Sequence, residues 1–132
     1  MIYNTIPSHL PDMPIYKKAV EIFSLSRKIS SYLSYDLSPL LIDGKEDESI
    51  YFTGDIVQQS ESLVPEIIKA EVEMFSENKY KHADAVKRLT NLLYQNCVRL
   101  EQSNSDGKDF IPILRKELKM FRKLQRNWML TL

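Results

Sequence analysis

Apolar residues recur at spacings of three and four along most of this chain, which is the pattern of helices that bury one face. The first such stripe begins after Pro14 and ends before Pro39, because the residue that precedes a proline disfavours helix. It predicts a helix over residues 15–38. Its buried positions are Ile15, Ala19, Ile22, Ser26, Ile29, Leu33 and Leu37, with Ser26 filling an apolar slot.

A second stripe predicts a helix over residues 48–75. Its apolar positions are Phe52, Ile56, Leu63, Ile67, Ala70 and Met74. Pro65 lies inside this stripe, and a proline in a helix interior costs about 3 kcal/mol because it removes one backbone hydrogen bond and crowds the preceding turn. We therefore expect a kink at Pro65 or two helices in series.

Two further stripes predict helices over residues 81–102 and 109–130. Short polar segments separate the four patterns: an Asp-Gly turn at Asp43 and Gly44, the stretch SENKYK, and the loop SNSDGK. Four helices with short connections are typical of an antiparallel up-down four-helix bundle, so the predicted fold class is all-α.

The first 14 residues contain Pro7, Pro11 and Pro14, and they predict an extended arm rather than a regular helix. Pro14 suits the first turn of a helix, where its missing N–H would have no partner. The expected organisation is an arm over residues 1–14 and one bundle domain over residues 15–132, because a chain of 132 residues is long enough for a single core.

Composition is that of an ordinary globular protein, with 43% hydrophobic residues, 27% charged residues and a formal net charge of zero. The lone Cys97 excludes an internal disulfide. No apolar run reaches the roughly 18 residues of a membrane span, and the start of the chain lacks the features of a secretory signal. We therefore expect a soluble, cytoplasmic protein.

Motifs for catalysis are lacking: there is no P-loop, no Gly-x-Gly fingerprint and no nucleophile elbow. The two histidines, His9 and His82, are not preceded by a Glu at the spacing that di-metal bundles use. Cys97 is expected to be a small core or boundary residue rather than a catalytic thiol. We expect no enzymatic activity, no cofactor and no metal site.

Charge is distributed unevenly along the chain. Ten acidic residues lie between Asp43 and Glu77 against two lysines, and seven basic residues lie between Lys108 and Arg126 against Asp109 and Glu117. On a wheel of about 100° per residue, the apolar positions of the last helix fall on one arc and its basic residues on the opposite arc. The candidate residues for binding nucleic acid or an acidic partner are Arg115, Lys119, Arg122, Lys123 and Arg126.

Three interpretations of this basic face stay open. The first is a face in contact with water alone, and the second is pairing with acids of the second helix such as Asp55, Glu66, Glu73 and Glu77. The third is contact with the phosphates of RNA or DNA. Phe121 and Trp128 lie on the apolar arc, so stacking on bases is disfavoured.

The second helix has apolar residues over more than half of its circumference, which is more than one bundle core requires. The surplus predicts contact with another subunit, unless this helix is merely central and kinked. The candidate interface residues are Val57, Val64, Ile68, Val72 and Phe75.

Two stretches resemble a known family. MPIYKKAVEIF (residues 13–23) looks like the opening of the first helix in accessory variability determinant proteins, which assist the reverse transcriptases of bacterial diversity-generating retroelements. VQQSESLVPEIIKAE (residues 57–71) is similar to the second helix of the ribosomal-RNA intervening-sequence proteins. The resemblance implies a four-helix bundle that assembles as a pentamer and binds nucleic acid and a reverse transcriptase through basic surfaces. Gln58 and Gln59 occupy the positions of the family's arginine pair, which would move such a role to the third or last helix.

Two functional hypotheses follow. The first is a non-enzymatic, homo-oligomeric four-helix-bundle scaffold or binding protein. The alternative is a nucleic-acid-binding accessory protein that uses the basic face of the last helix, with RNA, DNA or a reverse transcriptase as partner.

Overall fold

The structure, a computed structural model, describes residues 6–132 and contains only helical elements within them. The α-helices are α1 (Pro14–Leu37), α2 (Ser49–Glu61), α3 (Leu63–Val72), α4 (Ser76–Leu100) and α5 (Ile111–Leu130). Short 3-10 turns, Leu10–Asp12 and Asp106–Phe110, precede α1 and α5. The all-α prediction is confirmed, with α2 and α3 together in the place of the second predicted helix.

The helices pack around one apolar core. α1 lies against α2 and α5, and α4 lies against α2, α3 and α5. The predicted stripes supply the core, except that Met74 is exposed. The largest fully buried side chains are Leu10, Ile22, Leu33, Ile56, Leu63, Ile67, Leu93, Leu100, Ile111, Leu114, Leu118 and Phe121. Burial of each such side chain contributes about 1.5–3 kcal/mol, so the core is the main source of stability.

The second helix breaks at Ser62, three residues before Pro65. Pro65 has no N–H to donate to the carbonyl of Glu61, and its ring would crowd that carbonyl. Because α2 ends at Glu61, Pro65 falls in the first turn of α3, where backbone N–H groups have no partner within the helix. The structure therefore has two helices in series at this point.

The connection between α3 and α4 lies earlier than the polar stretch SENKYK suggests. Residues 73–75 leave the helix, and the Glu73 carboxylate accepts the backbone N–H of Met74 at 3.1 Å. α4 already begins at Ser76, and Lys79 in its first turns donates to the carbonyl of Ala70 at 3.2 Å. The prediction that residues 76–80 form a break is wrong, because their polar side chains lie on the outside of a helix.

The segment before α1 is not extended throughout. Leu10–Asp12 form a 3-10 turn with Pro11 in its first positions, and the side chain of Leu10 is fully buried. The extended arm expected over residues 1–14 is therefore wrong for this turn, because Leu10 gains burial by folding back onto the core. Residues 1–5 lie outside the described part of the chain.

The loop that leads into α5 is anchored on α1. The Ser105 hydroxyl accepts the N–H of Gly107 at 3.0 Å and donates to the Asp36 carboxylate at 2.5 Å. A Cβ atom on Gly107 would lie 2.6 Å from the Cδ1 atom of Tyr32, so only glycine permits this close approach. The anchored loop sets the position at which α5 begins.

Candidate functional site

α5 presents different chemistry to its two neighbours. Towards α1, the Glu117 carboxylate accepts a hydrogen bond of 2.8 Å from Lys18, which also binds Glu21. Hydrogen bonds with Glu117 and then Glu21 raise the pKa of Lys18. Since Glu117 is engaged on the α1 side, it does not neutralise the basic residues on the opposite side of α5.

Arg115 is held against the end of α4. Its guanidinium donates to the Glu101 carboxylate at 3.0 Å, and its Cζ lies 5.7 Å from the centre of the Tyr94 ring. Both members of the ion pair are half-buried, and the buried Arg115 Nε and one buried Glu101 oxygen have no hydrogen-bond partner among the described residues. One charge of the predicted basic face is therefore already paired, by an acid just beyond the end of α4 that the sequence did not single out.

Arg122 is held against α4 by contacts other than an ion pair with a described residue. Its guanidinium carbon lies 4.5 Å from the centre of the Tyr94 ring, and one of its nitrogens donates to the Asn91 side-chain oxygen at 3.2 Å. The Tyr94 ring thus contacts the guanidinium groups of two arginines. Guanidinium groups stack readily on aromatic rings. The remaining N–H donors of Arg122 are left for a ligand, because a guanidinium has five.

Lys119, Lys123 and Arg126 are exposed on α5. Across residues 6–132 they form no ion pair. The spacing of Arg115, Lys119, Arg122 and Arg126 puts these four residues on the side of α5 that faces α4, whereas Lys123 lies further out.

A groove of about 260 Å³ lies between α4 and α5, and we call it the α4–α5 groove. Its lining residues are Lys87, Asn91, Arg122, Gln125, Arg126 and Met129. Three of them are basic, two are amides and none is acidic. The geometry of this groove is suited to an anion.

The acids of the second predicted helix do not meet the basic face. Glu66 binds His82 at 2.7 Å and approaches Lys69 at 3.6 Å, and Glu71 accepts the indole N–H of Trp128 at 2.7 Å. In the described part of the chain, none of the ion pairs joins these acids to the basic residues of α5. The interpretation that pairs these acids with the basic face is wrong, because α2 and α3 pack mainly against α1 and α4, and α3 meets α5 at Trp128 on its apolar arc rather than at its basic face.

Comparisons with protein-family models, with curated proteins and with solved structures found no match to this chain. None of the described helices is both long and apolar enough to cross a membrane. The inference of function therefore rests on the geometry of the side chains.

The predicted interface residues of the second helix divide into three groups. Val57, Val64 and Val72 are half-buried, and Phe75 is 70% exposed. Ile68 is only 4% exposed in the single chain, so it has little surface left for another subunit and is wrong as an interface residue. Ile68 is buried because α3 packs beside both α4 and α1. Two neighbouring helices cover more of the apolar circumference of α3 than one neighbour would.

The thiol of Cys97 is not activated as a nucleophile by its surroundings in the described chain. Burial, aided by the nearby Glu101 carboxylate, raises the pKa of the Cys97 thiol to about 12, so the reactive thiolate is scarce near neutral pH. Within residues 6–132 no group of three or more His, Cys, Asp or Glu side chains is arranged to hold a metal ion. Around the α4–α5 groove, by contrast, basic and amide side chains come together in an arrangement suited to binding.

Four residues of this site were not predicted from the sequence: Lys87, Asn91, Tyr94 and Gln125. The first three lie on one side of α4, because they are spaced by four and three residues. The apolar pattern of a single helix does not show which other helix packs on that side. Gln125 lies four residues after Phe121, on the apolar arc of α5. A polar residue on an apolar arc was the signal in the sequence that could have identified Gln125 as a site residue.

Proposed function

We propose that this protein is a non-enzymatic binding protein whose α4–α5 side contacts the sugar-phosphate backbone of RNA or DNA. The observation that carries the proposal is the row of Arg115, Lys119, Arg122 and Arg126 beside Lys87 of α4. Arg126 follows Arg115 by eleven positions, so the row is about 17 Å long at the helical rise of 1.5 Å per residue. Only Arg115 of this row is paired with a carboxylate of the described chain.

Backbone contact is favoured over reading of bases. Phe121 and Trp128 are buried, and the ring of Tyr94 lies beside the guanidinium groups of Arg115 and Arg122. Stacking on bases requires an accessible aromatic face. Affinity is therefore expected to come from phosphates, to tolerate changes of sequence and to fall with salt.

The experiment is a binding titration with labelled single-stranded and duplex oligonucleotides at low salt, comparing wild type with Arg122→Glu. The matched control is Lys17→Glu, which reverses an exposed charge on α1. We expect Arg122→Glu to weaken binding at least tenfold, because it replaces a phosphate contact with a repulsion. Equal effects of the two variants, or no binding by the wild type, would contradict the proposal.

The arrangement that supports this surface is an antiparallel up-down bundle, which belongs to the same proposal. Side-chain contacts run in opposite directions along neighbouring helices: Glu101 with Arg115 and Asn91 with Arg122 on α4 and α5. Two hydrogen bonds show the same antiparallel order between α4 and the preceding helices. Gln59 of α2 accepts from Asn96, and the later Glu66 of α3 bonds with the earlier His82. The proposal includes a short arm before α1, of which residues 6–13 are described and contain the Leu10–Asp12 turn.

A homo-oligomeric scaffold is the second candidate function. It is favoured by apolar surface on the single chain: Met74 is 89% and Phe75 is 70% exposed in the turn between α3 and α4. Val57, Val64 and Val72 add half-buried apolar surface along the same part of the chain. The resemblance to the intervening-sequence and accessory variability determinant proteins implies a pentamer, a reverse-transcriptase partner and a cytoplasmic location, and all three stay within this proposal.

The mass in solution tests the scaffold. Light scattering at micromolar concentration is expected to give a multiple of 15.5 kDa, and Phe75→Ser is expected to lower it. Val20→Ser, which removes an exposed apolar residue of α1, is the control. A monomeric wild type would reject this candidate without affecting the phosphate-backbone proposal.

A further inference from the structure

Gln125 is an unusual residue on the floor of the α4–α5 groove. It is only 4% exposed, although it lines the groove. Across the described chain, its side-chain nitrogen donates only to the sulfur of Met129, at 3.8 Å. A thioether is a weak acceptor, and buried amide donors are normally satisfied by oxygen. The groove therefore offers a donor that is nearly free and already desolvated.

Three cations line the same groove as this donor: Lys87, Arg122 and Arg126. Arg122 is oriented in advance by the Tyr94 ring and by the Asn91 side-chain oxygen. A guanidinium that is held in place loses less side-chain entropy when it binds an oxyanion, and its fork of N–H donors matches phosphate geometry.

We propose that the α4–α5 groove is a discrete site for one phosphate group, bound by Arg122, Lys87 and Arg126 and hydrogen-bonded by the Gln125 amide. This inference deepens the proposed function and rests on it in one respect, that the phosphate belongs to a nucleic-acid backbone. A free phosphate or pyrophosphate shares the same chemistry. A diffuse basic surface would need the charges but not Gln125, so the amide distinguishes a built site from general attraction.

The volume agrees with a small oxyanion and its water. The groove volume is about 260 Å³, far above the roughly 10–15 Å³ of cavity that one water molecule requires. It is partly open at the surface, so a phosphate of a longer backbone can reach it.

The test follows the side-chain resonances of Gln125 and Arg122 by NMR while inorganic phosphate, pyrophosphate or a short single-stranded oligonucleotide is added. Wild type is compared with Gln125→Leu, which removes the amide and no charge, and with Arg122→Gln. Lys17→Gln is the charge-matched control outside the groove. Thermal unfolding of each variant verifies that it is folded. If Gln125→Leu does not fold, the Gln125 resonance in wild type and in Arg122→Gln still tests the site.

We expect pyrophosphate and the oligonucleotide to shift both resonances. Loss of a hydrogen bond to a charged group lowers affinity about tenfold or more, so Gln125→Leu and Arg122→Gln should each weaken binding by at least that factor. Lys17→Gln should bind as wild type does.

The outcomes separate the two proposals. If the oligonucleotide binds but Gln125→Leu has no effect, the discrete site is overturned and the proposed function survives. If pyrophosphate binds at Gln125 but the oligonucleotide does not, the site stands and the nucleic-acid function fails. If neither ligand moves the Gln125 and Arg122 resonances at millimolar concentration, the site is rejected.

Discussion

The guanidinium carbon of Arg122 lies 4.5 Å from the centre of the Tyr94 ring, so a cation of α5 is held in place by an aromatic residue of α4. The same ring lies 5.7 Å from the Cζ atom of Arg115. Tyr94 thus orders two arginines of the row proposed to bind phosphate, and its role in binding is separable from the charges themselves.

Tyr94→Leu tests this ordering. The substitution leaves every charge in place but removes a cation–π contact worth about 0.5–1 kcal/mol at exposed sites, so oligonucleotide affinity should fall about two- to fivefold. Fluorescence anisotropy measures the effect. Tyr35→Leu, at a ring that is 82% exposed at the end of α1, should leave the affinity unchanged. Wild-type binding by Tyr94→Leu would show that the ring does not order the arginines.

Two buried serines of α1 should respond in opposite ways to removal of their hydroxyl groups. The Ser26 hydroxyl is buried without a hydrogen-bond partner, whereas Ser30 donates to the carbonyl of Thr53 at 2.7 Å. Because an unpaired buried hydroxyl carries a desolvation cost, Ser26→Ala should raise the free energy of unfolding, by about 1 kcal/mol. Ser30→Ala should lower it by about 1 kcal/mol. Urea denaturation measures the free energy of unfolding of both variants. Changes of the same sign in the two variants would contradict the prediction.

Two glycines provide a second pair of opposite signs. A Cβ on Gly107 would lie 2.6 Å from Tyr32 and 3.1 Å from Leu33, whereas one on Gly54 would meet nothing within 4 Å. Gly107→Ala should lower the free energy of unfolding by about 1–3 kcal/mol through overpacking. Gly54→Ala, inside α2, should raise it by about 0.5–1 kcal/mol because alanine favours helix. A stabilising Gly107→Ala would show that the loop before α5 does not pack on α1 as described.

Cys97 predicts a dependence of stability on alkaline pH. Its pKa is raised to about 12 in the folded chain by burial, against about 8.5 in an unfolded one. The thiol therefore keeps its proton in the folded state while the unfolded state loses it. The contribution is fully present below the unfolded pKa and is lost as pH rises towards 12, with a slope of up to about 1.4 kcal/mol per pH unit.

Cys97→Ala provides the comparison. The difference in unfolding free energy between wild type and Cys97→Ala should shrink from pH 8 to pH 10, as measured by urea denaturation under reducing conditions. A difference independent of pH would contradict the buried, protonated thiol.

The sequence predicted the helices well because each buries a face with a period that differs from that of a strand. It did not place the break in the second helix, because Pro65 acts on the turn before it and Ser62 itself carries no breaking signal. It also misplaced the start of α4, since Ser76 and Glu77 have the composition of a loop but equally suit an exposed first turn.

The candidate site was predicted only in part. The basic residues of α5 follow from its periodicity, but their partners come from α4, and a single stripe does not tell which helix lies on which flank. The Glu101 partner of Arg115 lies just beyond the end of α4, outside the acid-rich block of residues 43–77. Gln125 occupies a slot on the apolar arc of α5, as Ser26 does in α1, but the stripe of α5 was traced only through its apolar residues.

The salt dependence of oligonucleotide binding tests the central claim most directly. For a surface that neutralises phosphates, the logarithm of the association constant should fall linearly with the logarithm of salt concentration, with a slope of about −0.7 per contact for single strands. Arg126→Gln should make that slope shallower by about one contact, and Lys17→Gln should leave it unchanged. A wild-type slope near zero, or equal slopes for wild type and Arg126→Gln, would contradict phosphate contact by the α4–α5 side.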